Sequence, residues 1–213
     1  MAKYTLFGGA YSTYVRTVRM LMQEKGLDYE LVPVNILTGE GQSEAHLRRH
    51  PFGKIPALEV DGVTLFETAA IVELLEAHQP TPARFPEDPV ERARMRQWMN
   101  VIDNYLYPDV VGTLVWQRVV NPRMDQPCDE QAVRDGMPVV RKHFGLLNAA
   151  LENAKWLAGD TISVADFYLA PIMAYVAMTP EAERLLADHP QVARWWEAFQ
   201  QRESFIQTPF DGS

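Results

Sequence analysis

The chain has 213 residues, a formal net charge of −8 and a hydrophobic fraction of 47%. That bounds it to one large or two small globular domains, with apolar material enough for a core without staples. The acidic balance, with no basic block, argues against nucleic acid, since phosphate binding needs clustered Lys and Arg. The single cysteine, Cys128, excludes an internal disulfide and a cysteine-only metal site, and it is compatible with a reducing compartment.

Met1-Ala2-Lys3 leads straight into Tyr4-Thr5-Leu6-Phe7, a β-prone run that leaves no room for a basic–apolar leader. No apolar stretch reaches the ~20 residues of a membrane span. A cytoplasmic protein with no membrane partner is therefore expected. Gly8-Gly9 opens a loop, and Ser12-Thr13 are good N-cap types for the helix behind them. Val15, Val18, Arg19, Met22 and Lys25 share one side of that helix, and Gly26 stops it. Tyr29 to Val34 is again β-prone, which makes a compact βαβ unit with parallel strands.

A polar stretch from Thr38 to Ser43 precedes a short helix ending near Arg49. Ala57 to Val60 and Val63 to Phe66 flank Asp61-Gly62, the clearest hairpin signal in the chain. A helix starts near Thr68 and ends at Gln79-Pro80. Pro80, Pro82, Pro86 and Pro89 crowd one segment, where a domain boundary falls most readily. Beyond it the period is helical throughout. Helices are predicted over 90–120, over 130–153 with an interruption or kink at Pro138, over 163–178, and more briefly over 181–187 and 190–202. The expected division is 1–79, a linker over 80–89, and 90–213.

Ser12 and the segment Gly53-Lys54-Ile55-Pro56-Ala57 together suggest a site for a small anionic peptide carrying a thiol. A thiol with a pKa of ~8.5 is only a few per cent thiolate at pH 7. Bringing that value to ~6.5 takes ~2.7 kcal/mol. A hydroxyl hydrogen bond to the charged sulfur supplies ~1.5–3 kcal/mol, and the positive end of a helix adds ~0.3–1 kcal/mol. The two are the right size. Ile55, ahead of Pro56, can offer its backbone to a bound peptide in strand fashion. Glu67 can take an ammonium group and the helix start at Thr68 a carboxylate, while Lys54 can anchor a second carboxylate. Each has a plainer reading: an ordinary N-cap, a trans-proline strand start, a helix cap beside a solvated glutamate, a surface lysine. Ser163-Val164-Ala165-Asp166 reads as a cap on a buried helix, important for folding and not for chemistry. The five histidines show no metal-ligand spacing.

These clusters stand in one order, and in that order the chain resembles the soluble glutathione transferases over essentially its whole length. Ala10-Tyr11-Ser12-Thr13-Tyr14-Val15-Arg16 is similar to the serine segment of the phi class and related bacterial members. His50-Pro51-Phe52-Gly53-Lys54-Ile55-Pro56-Ala57 resembles the family's Asn-Pro-x-Gly-Lys-Val-Pro segment, and Phe66-Glu67-Thr68-Ala69-Ala70-Ile71 its Glu-Ser-x-Ala-Ile element. Gly159-Asp160 and Ser163 to Asp166 resemble its second-domain capping box.

The resemblance implies a thioredoxin-like α/β N-terminal domain followed by an all-α C-terminal domain, and a homodimer with Phe52 at the interface. It implies glutathione as co-substrate, no metal, and detoxification of a small apolar electrophile by conjugation. Ser12 would donate to the glutathione sulfur, with Tyr11 or Tyr14 as the alternative donors. Ile55, ahead of a cis Pro56, would pair with the cysteinyl backbone. Glu67 and Thr68 would hold the γ-glutamyl end and Lys54 the glycyl carboxylate. The family's His-Lys pair is replaced here by Gly41-Gln42, which leaves that anchor to Lys54 and His46. Tyr11, Tyr14, Val111, Val115 and Trp116 would meet the second substrate between the domains. The alternatives are another glutathione-dependent reaction at the same site (peroxide reduction, dehalogenation or isomerisation) and a non-catalytic interaction module of the same fold.

Overall fold

The computed structural model describes residues 3–210. By contact they form two units, residues 3–84 with 202–210, and residues 85–201. The segment 202–210 thus groups with the first unit and not with the helices that precede it.

The first unit is a four-stranded sheet in the order β2-β1-β3-β4 with helices. Strand β1 (Tyr4–Phe7) leads through Gly8 and Gly9 into α1 (Thr13–Glu24), and β2 (Tyr29–Val32) returns parallel to β1. Two 3₁₀ turns, Ile36–Thr38 and Glu40–Gln42, and a single helical turn, α2 (Glu44–Leu47), follow. Strands β3 (Ala57–Val60) and β4 (Val63–Phe66) form the predicted hairpin. Its turn residues Asp61 and Gly62 have φ of 48° and 82°, the left-handed pair that a type I′ turn requires. Helix α3 (Thr68–His78) packs against α1.

The apolar side of α1 enters the core as its spacing predicts: Val15, Val18 and Met22 are fully buried, as are Leu6, Leu58, Ile71 and Leu75. Lys25 closes the far end of α1. Its ammonium is buried against Glu76 at 2.6 Å and the carbonyls of Gln79 and Pro82 at 2.7 and 3.1 Å, which ties the end of α1 to the end of α3.

The second unit is all-helical: α4 (Pro89–Val101), a π-helical stretch (Ile102–Val120), α5 (Asn121–Arg123), α6 (Glu130–Ala150), α7 (Val164–Val176), α8 (Ala182–Asp188) and α9 (Pro190–Gln200). A last turn, α10 (Glu203–Ile206), belongs to the first unit. The long helix expected over 90–120 is present, but its second part is wound as a π-helix. Its buried residues, among them Ile102, Leu106, Val110, Val115 and Val119, recur every four to five positions, the wider spacing of that winding. Pro138 lies inside α6 without ending it.

Helix α7 is buried along its whole length. Asp166 in its first turn accepts the Ser163 N–H at 2.9 Å, the Leu157 N–H at 3.0 Å and the Trp195 Nε1–H at 2.9 Å. This is the structural cap the sequence suggests. Among the described residues no helix is long and apolar enough to cross a membrane.

Candidate functional site

The site is built from three neighbouring strand ends. Phe7 pairs with Ala57, and Ala57 pairs with Phe66. One step beyond that row stand Gly8, Pro56 and Glu67. The exit of β1 toward Ser12, the entry to β3 at Ile55-Pro56 and the exit of β4 into Glu67-Thr68 therefore gather at one end of the sheet. Gly8 permits this approach. A Cβ there would lie 2.4 Å from Val15 Cγ2 and 3.3 Å from Ile55 Cβ, so only a bare backbone passes between the first turn of α1 and Ile55.

Ser12 is the N-cap of α1, in extended conformation, with its N–H bonded to the Gly9 carbonyl at 3.0 Å. Its Oγ accepts the Val15 N–H at 3.3 Å and its carbonyl accepts the Arg16 N–H at 2.9 Å. Among the described residues nothing accepts the Ser12 hydroxyl proton. Tyr11 differs. Its hydroxyl donates to Asn35 Oδ1 at 3.3 Å and accepts the Ile36 N–H at 3.0 Å. Burial, above all, pushes its pKa up. Asn35 has no signal in the sequence that marks it as the partner of Tyr11. Tyr14, in the first turn of α1, is half-buried.

The Ile55–Pro56 peptide is cis. Ile55 is buried, and among the described residues neither its N–H nor its C=O has a hydrogen-bond partner. The preceding residues are held from behind. His46, buried to 2% exposure, lies with Nε2 2.8 Å from the Lys54 carbonyl and donates to it. His46 thus anchors the Lys54 backbone and is not a free carboxylate anchor, which corrects that part of the expectation. Gly41 and Gly53 are in contact: a Cβ on Gly41 would sit 2.3 Å from the Gly53 oxygen. The missing side chain at Gly41 therefore lets the two backbones approach beneath the Lys54 segment, and the Gln42 amide lies beside Gly53. The Lys54 side chain is exposed.

Glu67 precedes α3 with φ 67° and ψ 120°, a backbone region that costs of order 1–3 kcal/mol for a residue with a Cβ. Its carbonyl accepts the N–H groups of Ala70 and Ile71 at 3.0 and 3.1 Å. Glu67 itself is the N-cap position and its side chain makes no cap bond, so Thr68 is the first helical residue and not the cap. Thr68 is buried to 7% exposure while the Glu67 carboxylate is exposed.

Phe66, beside Glu67, packs against His50 at a tilt of 45° with ring centroids 5.0 Å apart, and Phe52 meets Phe66 edge-on at 6.5 Å. Burial, above all, lowers the pKa of His50. Phe52 is 69% exposed, a large apolar ring in water. Val111 and Val115, in the second unit, are buried, and Trp116 beside them is 42% exposed.

The family model described as glutathione S-transferase, N-terminal domain matches residues 2–77, and that described as glutathione S-transferase, C-terminal domain matches residues 107–203. The chain is 32% identical over 205 residues to glutathione S-transferase 1 of Zea mays, covering 96% of this chain and 94% of that one. It is 32% identical over 204 residues to glutathione S-transferase F13 of Arabidopsis thaliana, covering 94% and 92%. Among solved structures, glutathione transferase F7 of Populus trichocarpa superposes with a TM-score of 0.87 at 32% identity, covering 96% and 97% of the two chains. Maize glutathione S-transferase I in complex with an atrazine glutathione conjugate gives 0.86 at 29%, covering 96% and 95%. The first unit is accordingly thioredoxin-like, and the chain belongs to the glutathione S-transferase family, enzymes of the transferase class that act on glutathione.

Proposed function

We propose that this enzyme conjugates the glutathione thiolate to small apolar electrophiles by phi-like, serine-type chemistry. Bound glutathione loses its thiol proton to solvent. The sulfur lone pair then forms a carbon–sulfur bond, and the leaving group departs with its electron pair. The protein holds the sulfur as an anion and aligns the two substrates. The observation that carries this reading is the Ser12 hydroxyl: its lone pair is used on Val15 and its proton is available at the start of α1. Tyr11 is the weaker donor, because Asn35 and Ile36 already occupy its hydroxyl.

The rest of the peptide follows the three strand ends. Ile55, beside Pro56, offers an unpaired N–H and C=O to the cysteinyl residue. Glu67 and the helix start at Thr68 receive the ammonium and carboxylate of the γ-glutamyl end. Lys54, its backbone fixed by His46, takes the glycyl carboxylate. For the electrophile, Tyr11, Tyr14, Val111, Val115 and Trp116 are the proposed contacts, and the maize relative solved with an atrazine conjugate suggests activated aromatic rings as a substrate class. We read 1–79 as the glutathione-binding part, 80–89 as linker and 90–213 as the part serving the second substrate. A cytoplasmic homodimer with Phe52 in the interface and a role in detoxification complete the reading.

The test is conjugation of an activated aryl halide by wild type and Ser12→Ala, beside a panel of peroxide and isomerisation substrates. Conjugation that leads the panel and drops by about ten- to a hundredfold in the variant, the loss of one hydrogen bond to a charged group, supports the reading. Equal rates in both proteins across pH remove Ser12 from it.

A further inference from the structure

Helix α1 carries two buried arginines. Arg16 is 3% exposed and Arg19 is 8% exposed, unusual for arginine unless something specific covers it. The cover is the chain's own C-terminal segment. The Arg16 guanidinium lies 4.1 Å from the ring centroid of Phe205 and 4.4 Å from that of Phe210, and its NH2 donates to the Phe205 carbonyl at 3.1 Å. Arg19 donates to the Pro209 carbonyl at 3.1 Å and to the Tyr29 hydroxyl of β2 at 3.3 Å. At the far end of the helix, Glu24 accepts from Arg202 at 3.0 and 2.7 Å and from the Ser204 hydroxyl at 2.6 Å. Residues 16, 19 and 24 of α1 each bond to a residue within 202–210.

From this geometry we propose that segment 202–210 is a clamp that sets the position of Ser12, with Arg16 as the positioning residue. The link is short. The Arg16 N–H makes the first backbone bond of the helix, 2.9 Å to the Ser12 carbonyl, so the clamped residue and the cap residue are the two ends of one turn. That turn also contains the 3.3 Å bond from Val15 N–H to Ser12 Oγ. Helix termini are the first parts of a fold to open, and a guanidinium held between two rings and a carbonyl restrains the turn from one residue inside it. The cation–π contacts are of the kind worth ~0.5–2 kcal/mol each. They are strong enough to bias a turn and weak enough for the segment to be dislodged without unfolding the unit. A reacting group moved by a fraction of an ångström loses rate steeply, so loosening the segment is read out at the sulfur.

This inference rests on the proposal that Ser12 faces the sulfur, and the experiment separates the two. The pH profile of kcat/KM for glutathione conjugation is measured on the full chain for wild type, Ser12→Ala, Phe205→Ala, Phe210→Ala and the double variant Ser12→Ala/Phe205→Ala, with Tm alongside. Phe205→Leu, which keeps apolar bulk but removes the ring face, stands in if Phe205→Ala does not fold. The clamp predicts that kcat/KM near neutral pH falls about tenfold in the tail variants. It also predicts that the acidic limb moves up by roughly one pH unit, the same factor expressed as proton affinity. Arg16→Lys, which keeps the cation, retains more of the profile than Arg16→Met. In the Ser12→Ala background Phe205→Ala adds no further shift. If Ser12→Ala moves the limb and the tail variants lower Tm alone, the clamp is overturned and the serine reading stands. If Ser12→Ala leaves the limb in place, the serine reading fails, and the clamp on it fails with it.

Discussion

Ser12 and Val15 are joined by an N–H to Oγ bond of 3.3 Å that uses the serine as an acceptor only. The same hydroxyl can therefore cap a helix and still donate to a guest. Capping and thiolate stabilisation are not competing explanations of this residue. The cap turns the Oγ toward the first-turn amides, which is where an anion is best placed.

His46 acts on glutathione through the Lys54 backbone. His46→Ala removes the donor to a carbonyl at 2.8 Å, and an unmade buried hydrogen bond costs about 1–3 kcal/mol. Glutathione affinity by calorimetry is expected to weaken at least about fivefold, with kcat at saturating glutathione nearly unchanged. His46→Gln, which can restore a donor, recovers part of the affinity. A fall in kcat at constant affinity contradicts this role.

Glu24 ties the C-terminal segment to α1 and makes the fold acid-sensitive. Burial alone would raise its pKa, but the bonds from Arg202, Ser204 and Arg84 outweigh that and bring it from 4.5 to about 2. A carboxylate with a lower pKa in the folded state stabilises the fold above its unfolded value and loses that contribution as pH falls toward the folded one. The unfolding free energy from urea titrations is expected to drop between about pH 4.5 and pH 2, by up to about 3 kcal/mol. Glu24→Gln flattens this segment of the curve and is less stable than wild type at pH 7. A variant with the wild-type acid dependence contradicts the assignment.

Asp166 is a folding residue. It is buried with bonds from Leu157, Ser163 and Trp195, and burial, above all, raises its pKa. Asp166→Ala strands several buried donors and is expected to cost about 3 kcal/mol or more. Below its transition temperature the surviving folded protein keeps wild-type affinity for glutathione, because Asp166 lies in the other unit. Loss of glutathione binding in folded, cooperative protein contradicts a purely structural role.

These residues differ in how far a sequence can show them. The hairpin at Asp61-Gly62 and the cap at Ser12 are local: a turn type and a helix start each fix the residue within a few positions, and the structure agrees. The Asp166 cap is local in the same way. His46 is visible only as a histidine near a motif, because its partner is a backbone carbonyl brought close by tertiary packing. The bonds from Arg16 to Phe205 and from Arg19 to Pro209 join residues nearly two hundred positions apart in sequence, and no periodicity joins them. In the sequence Arg19 and Lys25 read as one side of α1, and only the partners explain why a stripe of cations is buried.

Phe52 offers a test of the proposed homodimer. A ring 69% exposed in the isolated chain, braced by His50 and Phe66, is expected to be buried by a second copy. Phe52→Ser should weaken dimerisation by about a hundredfold, the scale of an aromatic anchor at an interface, and sedimentation velocity at low micromolar concentration should show monomer. A variant that stays dimeric down to nanomolar concentration contradicts the proposed interface.

The most direct measurement is the ultraviolet titration of the thiolate of glutathione bound to wild type, Ser12→Ala and Ser12→Gly. Glycine keeps the helix start within a few tenths of a kcal/mol while alanine costs about 1 kcal/mol, so the pair separates capping from donation. The account predicts a midpoint near ~6.5 in wild type and a rise of about one to two pH units in both variants alike. Variants that bind glutathione and ionise it at the wild-type pH would show that the sulfur is held by something other than the Ser12 hydroxyl.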